Sequence, residues 1–265
     1  MDLQLSGRTA LVTGSWRGTG AGIARVLAAE GATVLVHGFE PGQAHDVTAG
    51  IVAGGGSARE VVGDLRTDEG AERLAGEVGD GVDILVANYG VAERGDWWSS
   101  TSDDWVDLYQ KNVLSAVRVV QAFVPPMRER GWGRVVVIGT VGTVRPNRER
   151  PGYYASKSAL PAMTVSLAKE LAGTGITVNL VSPGLVATAE VRAWLTRMAA
   201  ERGWGDDWNE IARRAAAEVM PNPAGRVAEP EDVGALVAYL CSPQAALING
   251  TNLRIDGGGA DTVTP

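Results

Sequence analysis

The run TALVTGSWRGTG, residues 9–20, decides the fold. Thr9–Thr13 is a short, β-branched apolar stretch. Gly14, Gly18 and Gly20 follow it, and from Ala21 to Glu30 the apolar residues recur at helical spacing until Gly31. A strand that turns through glycines into a helix presents free N–H groups and the positive end of the helix dipole, where an anion such as a pyrophosphate is favoured. The spacing is G-x-x-x-G-x-G rather than the commoner G-x-G-x-x-G dinucleotide fingerprint.

The same alternation continues along the chain. Strands are predicted at Thr33–His37, Arg59–Val62, Asp83–Asn88, Gly133–Gly139, Thr177–Ser182 and Asn252–Ile255. Most are apolar throughout, as strands covered on both faces are. Helices are predicted at Ser102–Arg130, which carries Pro125 and Pro126 near its end, at Tyr153–Ala172, which ends at Gly173, and at Asp232–Cys241 after Pro230. This order predicts an α/β chain: one Rossmann-like doubly wound domain over residues 1–265, with a parallel sheet of about seven strands and helices on both faces. Residues 189–228 break the alternation with two helices and no strand. They are read as a substrate-lid insertion.

Composition narrows the function. The chain has 265 residues, 45% hydrophobic and 21% charged, with a net charge of −7. The basic runs RERGWGR (128–134) and RPNRER (145–150) are short and mixed, so no nucleic-acid face is expected. The single cysteine, Cys241, permits no internal disulfide, and His37 and His45 are too few for an ordinary zinc site. The first residues, MDLQLSGRTALVTG, lack the basic and apolar regions of a signal peptide, and no apolar run is long enough for a membrane span. A cytoplasmic protein with no metal, no membrane contact and a small-molecule substrate is expected.

Two further stretches carry chemistry. The second strand runs TVLVHGFE (33–40) and ends at Gly38, where a carboxylate would bind a ribose 2′-hydroxyl and select NAD. None stands there; Glu40 lies two residues on. Arg17, just before Gly18, suits a 2′-phosphate. Phe39 occupies the place of a second basic residue and argues the other way. NADP is the expected cofactor, with NAD as the alternative. In YYASK (153–157), Tyr153 and Lys157 share a helix face. A nearby ammonium favours a phenolate and brings a tyrosine toward acid–base use near neutrality. Tyr154 has only Ser158 at the corresponding spacing.

Through these residues the sequence resembles the short-chain dehydrogenase/reductase family over about residues 5–258. TGSWRGTG is similar to the family's T-G-x-x-x-G-x-G turn, and ANYG (87–90) to its N-N-A-G. YYASK carries its Y-x-x-x-K, and PGLVAT (183–188) is similar to its P-G-x-x-x-T. INGTNLRIDGG resembles its closing strand. The resemblance implies a cofactor lying on Gly14, Ser15, Arg17, Gly18, Thr19 and Gly20, and on Gly38, Phe39, Asp64 and Leu65. Asn88, Gly90, Tyr153, Lys157, Pro183, Gly184, Val186 and Thr188 complete that set. Asp64 would hold the adenine, and Val186 and Thr188 the nicotinamide carboxamide. It implies catalysis by Tyr153 as proton donor, Lys157 as its activator and ribose partner, Thr140 as orienter of the carbonyl oxygen, and Asn112 as anchor of a relay water. It also implies a homotetramer, or a homodimer, built through the long helices and the last strand.

Three departures stand out. Thr140 replaces the family's serine; it keeps the hydroxyl but restricts χ1. Ala87 and Tyr89 replace small or polar residues, which turns Tyr89 toward cofactor or substrate. Pro161 lies inside the catalytic helix and cannot donate to the Lys157 carbonyl, so a kink is expected there. Of the eight tryptophans, Trp97 and Trp98 lie in the loop after ANYG, and Trp194, Trp204 and Trp208 lie with Met198 in the insertion. Tyr89, Trp97, Trp194 and Met198 are the candidate substrate wall, and Arg145 or Arg148 a candidate for an anionic substrate. An aromatic mouth suits a hydrophobic or aromatic ketone or secondary alcohol. A 3-oxoacyl-thioester reductase and a sugar or polyol dehydrogenase are alternatives. A non-catalytic dinucleotide sensor or scaffold is the alternative of another class.

Overall fold

In the computed structural model, which describes residues 1–262, β-branched and apolar runs form seven parallel strands. They are β1 (Thr9–Val12), β2 (Thr33–Gly38), β3 (Ser57–Val62), β4 (Ile84–Ala87), β5 (Gly133–Ile138), β6 (Ile176–Pro183) and β7 (Asn252–Ile255). All seven predicted strands are present, most shifted by a residue or two at their ends. Their order in the sheet is β3-β2-β1-β4-β5-β6-β7. The order reverses at the β1–β4 junction, where Leu11 pairs in register with Leu35 on one side and Leu85 on the other. In a doubly wound sheet the crevice outside the strand ends at such a switch point is where ligands bind.

Strand alternation sends successive side chains to opposite faces. Ala10 and Val12 enter one core with α1 (Gly18–Ala29), while Leu11 enters the other. The first layer also contains α2 (His45–Ala53) and, much later in sequence, α10 (Pro230–Cys241). The second contains α3 (Asp68–Val78) and α5 (Ser115–Arg130). The helices α2 and α3 are absent from the sequence reading. α2 is short and weakly patterned, and α3 is rich in charged residues, with only Gly70, Ala71 and Leu74 buried.

The stretch predicted as one long helix over 102–130 is α4 (Ser102–Tyr109), a π-helical turn at Gln110–Leu114, and α5. Pro125 and Pro126 are carried inside α5, which stops at Gly131 in the left-handed conformation. The stretch predicted as one helix over 153–172 is divided into α6 (Pro151–Lys157) and α7 (Ala159–Glu170), with Ser158 between them. The break falls where Pro161 removes the donor to Lys157, as expected. Residues 189–228 hold α8 (Ala189–Arg202), α9 (Trp208–Arg214) and a second π-helical turn, Ala215–Val219. They close their own small core on Leu195, Ala199, Trp204 and Ile211. Among the described residues, no helix is long and apolar enough to cross a membrane.

Candidate active site

The glycine turn is held from three sides. The Thr13 hydroxyl accepts from the Asn88 and Tyr89 amides at 3.0 Å each, and Asn88 Nδ2 donates to the Thr13 carbonyl at 2.8 Å. Ser15 Oγ donates to the Val12 carbonyl at 2.6 Å and accepts from the His37 amide at 2.9 Å. The imidazole of His37 supplies the third tie. Its Nδ1 accepts from the Gly14 amide at 3.0 Å, and its Nε2 meets the Gly63 carbonyl at 2.9 Å. The Gly14 contact needs a lone pair on Nδ1, so the proton resides on Nε2 and the ring is neutral. Burial pushes its pKa down to about 4, against a smaller upward push from the Gly63 carbonyl.

Beyond this turn a cleft of about 700 Å³ opens. Gly14, Arg17, Gly18, Thr19 and Gly20 form one wall, Asn88 and Gly90 the floor, and Thr140, Tyr153 and Lys157 the far side. Pro183, Gly184, Val186 and Thr188 close it from the β6 end. The cleft fits a dinucleotide. Arg17, the residue before α1, makes no side-chain cap bond, and the first residues of α1, Gly18, Thr19 and Gly20, line the cleft, as an anion-binding helix start requires. A Cβ on Gly20 would lie 2.5 Å from Asn88 Nδ2 and 2.7 Å from the Gly14 carbonyl oxygen. A larger groove, about 1060 Å³, lies on the outer face of α5 and α7 and holds none of these residues.

The candidate catalytic side chains meet at the floor. A Cβ on Gly90 would fall 2.7 Å from Asn112 Oδ1 and 2.8 Å from Lys157 Nζ, so glycine there lets both approach. Asn112 Oδ1 accepts from the Val91 amide at 2.7 Å, and its Nδ2 donates to the Val91 carbonyl and to Ser156 Oγ at 3.1 Å each. Asn112 sits in the π-helical turn, a local widening that often marks functional sites. Lys157 is buried; Nζ donates to the Ile138 carbonyl at 2.8 Å, and burial lowers its pKa to about 8. Burial raises the Tyr153 pKa, while the hydrogen-bonding Thr140 hydroxyl and the Arg150 charge favour its phenolate. Lys157 makes no such contribution, because its ammonium is turned to Ile138. Tyr153 faces the cleft and Tyr154, its ring centroid 5.2 Å away, does not line it.

The remaining sequence candidates are dispersed. Gly38, Phe39, Asp64 and Leu65 lie outside the cleft lining. Phe39 packs on Tyr89 at 4.7 Å between ring centroids, and the Asp64 carboxylate is taken by Arg66 at 2.7–3.2 Å. Arg17 pairs with Glu190 on α8 and stacks on Trp16 at 4.4 Å. Of the substrate candidates only Trp194 reaches the cleft. Trp97 and Trp98 stand exposed beside Arg148 in a separate depression, Met198 packs on the insertion's own core, and Arg145 donates to the Gly259 carbonyl at 2.7 Å. Sequence reasoning missed Thr13, His37, Ser156 and Arg150. The hint for His37 was a polar residue within an apolar strand next to the glycine turn.

Residues 14–260 match the family described as Enoyl-(Acyl carrier protein) reductase. The chain is 34% identical over 261 residues to an uncharacterized oxidoreductase, YvaG, of Bacillus subtilis, covering 97% of this chain and 98% of that protein. It is 32% identical over 257 residues to the 3-oxoacyl-[acyl-carrier-protein] reductase FabG of Escherichia coli, with the same coverage. Among solved structures, L-sorbose reductase from Gluconobacter frateurii, complexed with NADPH and L-sorbose, superposes with a TM-score of 0.91 at 30% identity. That match covers 99% of this chain and 100% of the other.

Proposed function

The chain belongs to the short-chain dehydrogenase/reductase family and is an NAD(P)-dependent oxidoreductase, and from its cleft we propose that it interconverts a small carbonyl compound and its secondary alcohol, preferring NADP(H). The observation that carries this reading is the convergence of Thr140, Tyr153 and Lys157 on the cleft that the glycine turn opens. Trp194, Val191 and Leu185 give the substrate an apolar wall. The broader aromatic mouth expected from the tryptophan count has no counterpart in this wall. The insertion over 189–228 acts as the lid, with Trp194 as its contribution.

The nicotinamide, when bound, supplies or accepts the hydride. The protein's residues hold the proton and the oxygen. Tyr153 keeps its proton at neutral pH because burial raises its pKa, so it can donate to an oxygen that gains charge. The Thr140 hydroxyl hydrogen-bonds the phenol, orients the substrate oxygen and stabilises the phenolate left after transfer. Lys157 keeps a positive charge on the cleft floor below pH about 8. Asn112 clamps Val91 against Ser156 and so fixes the floor, and its π-helical turn is where the water that restores the proton would be held.

Thr140 also accepts from the Gly142 amide at 3.1 Å and caps the short turn Val141–Thr143. Thr140→Ser keeps both functions and should retain activity. Thr140→Ala loses both and should lower kcat by about 10- to 100-fold, the effect of one charge-assisted hydrogen bond. Equal rates in Thr140→Ala and the unaltered protein would remove this hydroxyl from the mechanism.

Arg17 is the cation for a 2′-phosphate, and its exchange from Glu190 to the phosphate explains a preference for NADP(H). The NADPH bound to the sorbose reductase relative supports that choice. Fluorescence titration with NADPH and NADH side by side tests it. NADPH should bind more tightly, and Arg17→Ala should weaken NADPH by about tenfold more than NADH. Equal losses would leave the hydride chemistry standing and remove Arg17 as the selector. The apolar groove between α5 and α7 supports a subunit interface there, within a homotetramer or homodimer.

A further inference from the structure

Among the described residues, the cleft carries one guanidinium without a counter-charge. Arg150 precedes α6 and lines the cleft with Thr140, Tyr153 and Lys157. Its Nε is sealed from solvent and has no hydrogen-bond partner. A buried polar nitrogen left unpaired is costly, so its occurrence calls for an explanation. The other arginine and carboxylate side chains on the walls are matched. Glu93 pairs with Lys111 at 2.8 Å, Arg94 with Glu149 at 3.9 Å, and Arg17 with Glu190. Glu149, next to Arg150 in sequence, is thus turned to Arg94. Among the described residues, Arg150 takes part in no ion pair.

We propose that Arg150 binds a carboxylate on the substrate, and that the physiological substrate is a keto acid or the corresponding hydroxy acid. This rests on reading the cleft as a carbonyl-reducing site. Arg150, immediately before α6, and Tyr153 within it line the same cleft, and the Arg150 charge is felt at the Tyr153 phenol. A single guanidinium fork matches the two oxygens and single charge of a carboxylate. A phosphate dianion would call for a second cation; Arg94 is paired with Glu149, and Arg17 is assigned to the 2′-phosphate of the cofactor. The two arginines singled out in the sequence are placed elsewhere: Arg145 is bound to the Gly259 carbonyl, and Arg148 lies in the depression with Trp97 and Trp98.

The test uses matched probes with the full-length enzyme and NADPH: acetoacetate against ethyl acetoacetate, and 5-keto-D-gluconate against L-sorbose. The unaltered enzyme should favour the carboxylate member of a pair in kcat/KM. Arg150→Ala should lower the carboxylate member about 10- to 100-fold more than its neutral partner, chiefly through KM. Arg150→Lys should recover part of that loss. Calorimetric titration of the NADP⁺ complex with 5-keto-D-gluconate should lose its binding heat in Arg150→Ala, while NADPH fluorescence titration reports an intact fold. Preference for the neutral members overturns the proposal. So does an equal loss on both members with a displaced alkaline limb of the pH–rate profile, which would mean that Arg150 acts on Tyr153 instead. Turnover of no probe, with NADPH binding intact, overturns the reductase reading itself.

Discussion

Tyr153→Phe should lower kcat by about 10²- to 10⁴-fold, the usual contribution of a positioned general acid, and leave NADPH affinity essentially intact. The phenol is the only O–H removed. The ring, which packs 5.2 Å from that of Tyr154, stays in place. Burial raises the Tyr153 pKa and the Thr140 hydroxyl opposes that rise. The acid form therefore dominates through neutral pH, and reduction should be flat there and fall on the alkaline side. Oxidation needs the phenolate and should rise with pH over the same range. Stopped-flow traces at 340 nm in both directions measure this. Retention of full turnover in Tyr153→Phe would show that another group carries the proton, and the adjacent Tyr154→Phe is the control.

His37 should make the protein acid-sensitive by about 3 kcal/mol, from a pKa of 6.5 in the unfolded chain and about 4 in the folded one. The folded state holds the ring neutral, because Nδ1 must accept from the Gly14 amide. The unfolded chain binds the proton more readily. The stabilising contribution is therefore complete above pH 6.5, declines as pH falls below it, and is gone near pH 4. Urea denaturation at steps from pH 8 to 4 should show this decline in the unaltered protein, and His37→Gln should lack it. Parallel curves for the two proteins would exclude His37 as the group responsible. NADPH affinity should weaken over the same window, since protonation presents an N–H to the Gly14 amide and loosens the first residue of the cofactor turn.

Local pattern made most of the architecture legible. The seven apolar runs and the Gly14–Gly20 turn could be read because strand burial and the strand-to-helix turn leave their marks within a few adjacent residues. The break after Lys157 was legible in Pro161 for the same reason. α3 was not, because its buried face is three small or apolar residues among charges.

The site divides along the same line. The glycine turn and the tyrosine with a lysine one turn away could be singled out from the chain alone, because those features depend on spacing within a segment. Packing settled the rest. It turned Lys157 to the Ile138 carbonyl rather than toward Tyr153. It joined His37 to Gly14 and Gly63, which come from two other strand ends. It brought Trp194 but not Trp97 to the cleft, and left Arg150 there with an unpaired Nε while Arg145 was taken by the Gly259 carbonyl. Each of these depends on packing between elements far apart in the chain, and neither periodicity nor motif spacing encodes which of several like side chains finds a partner there.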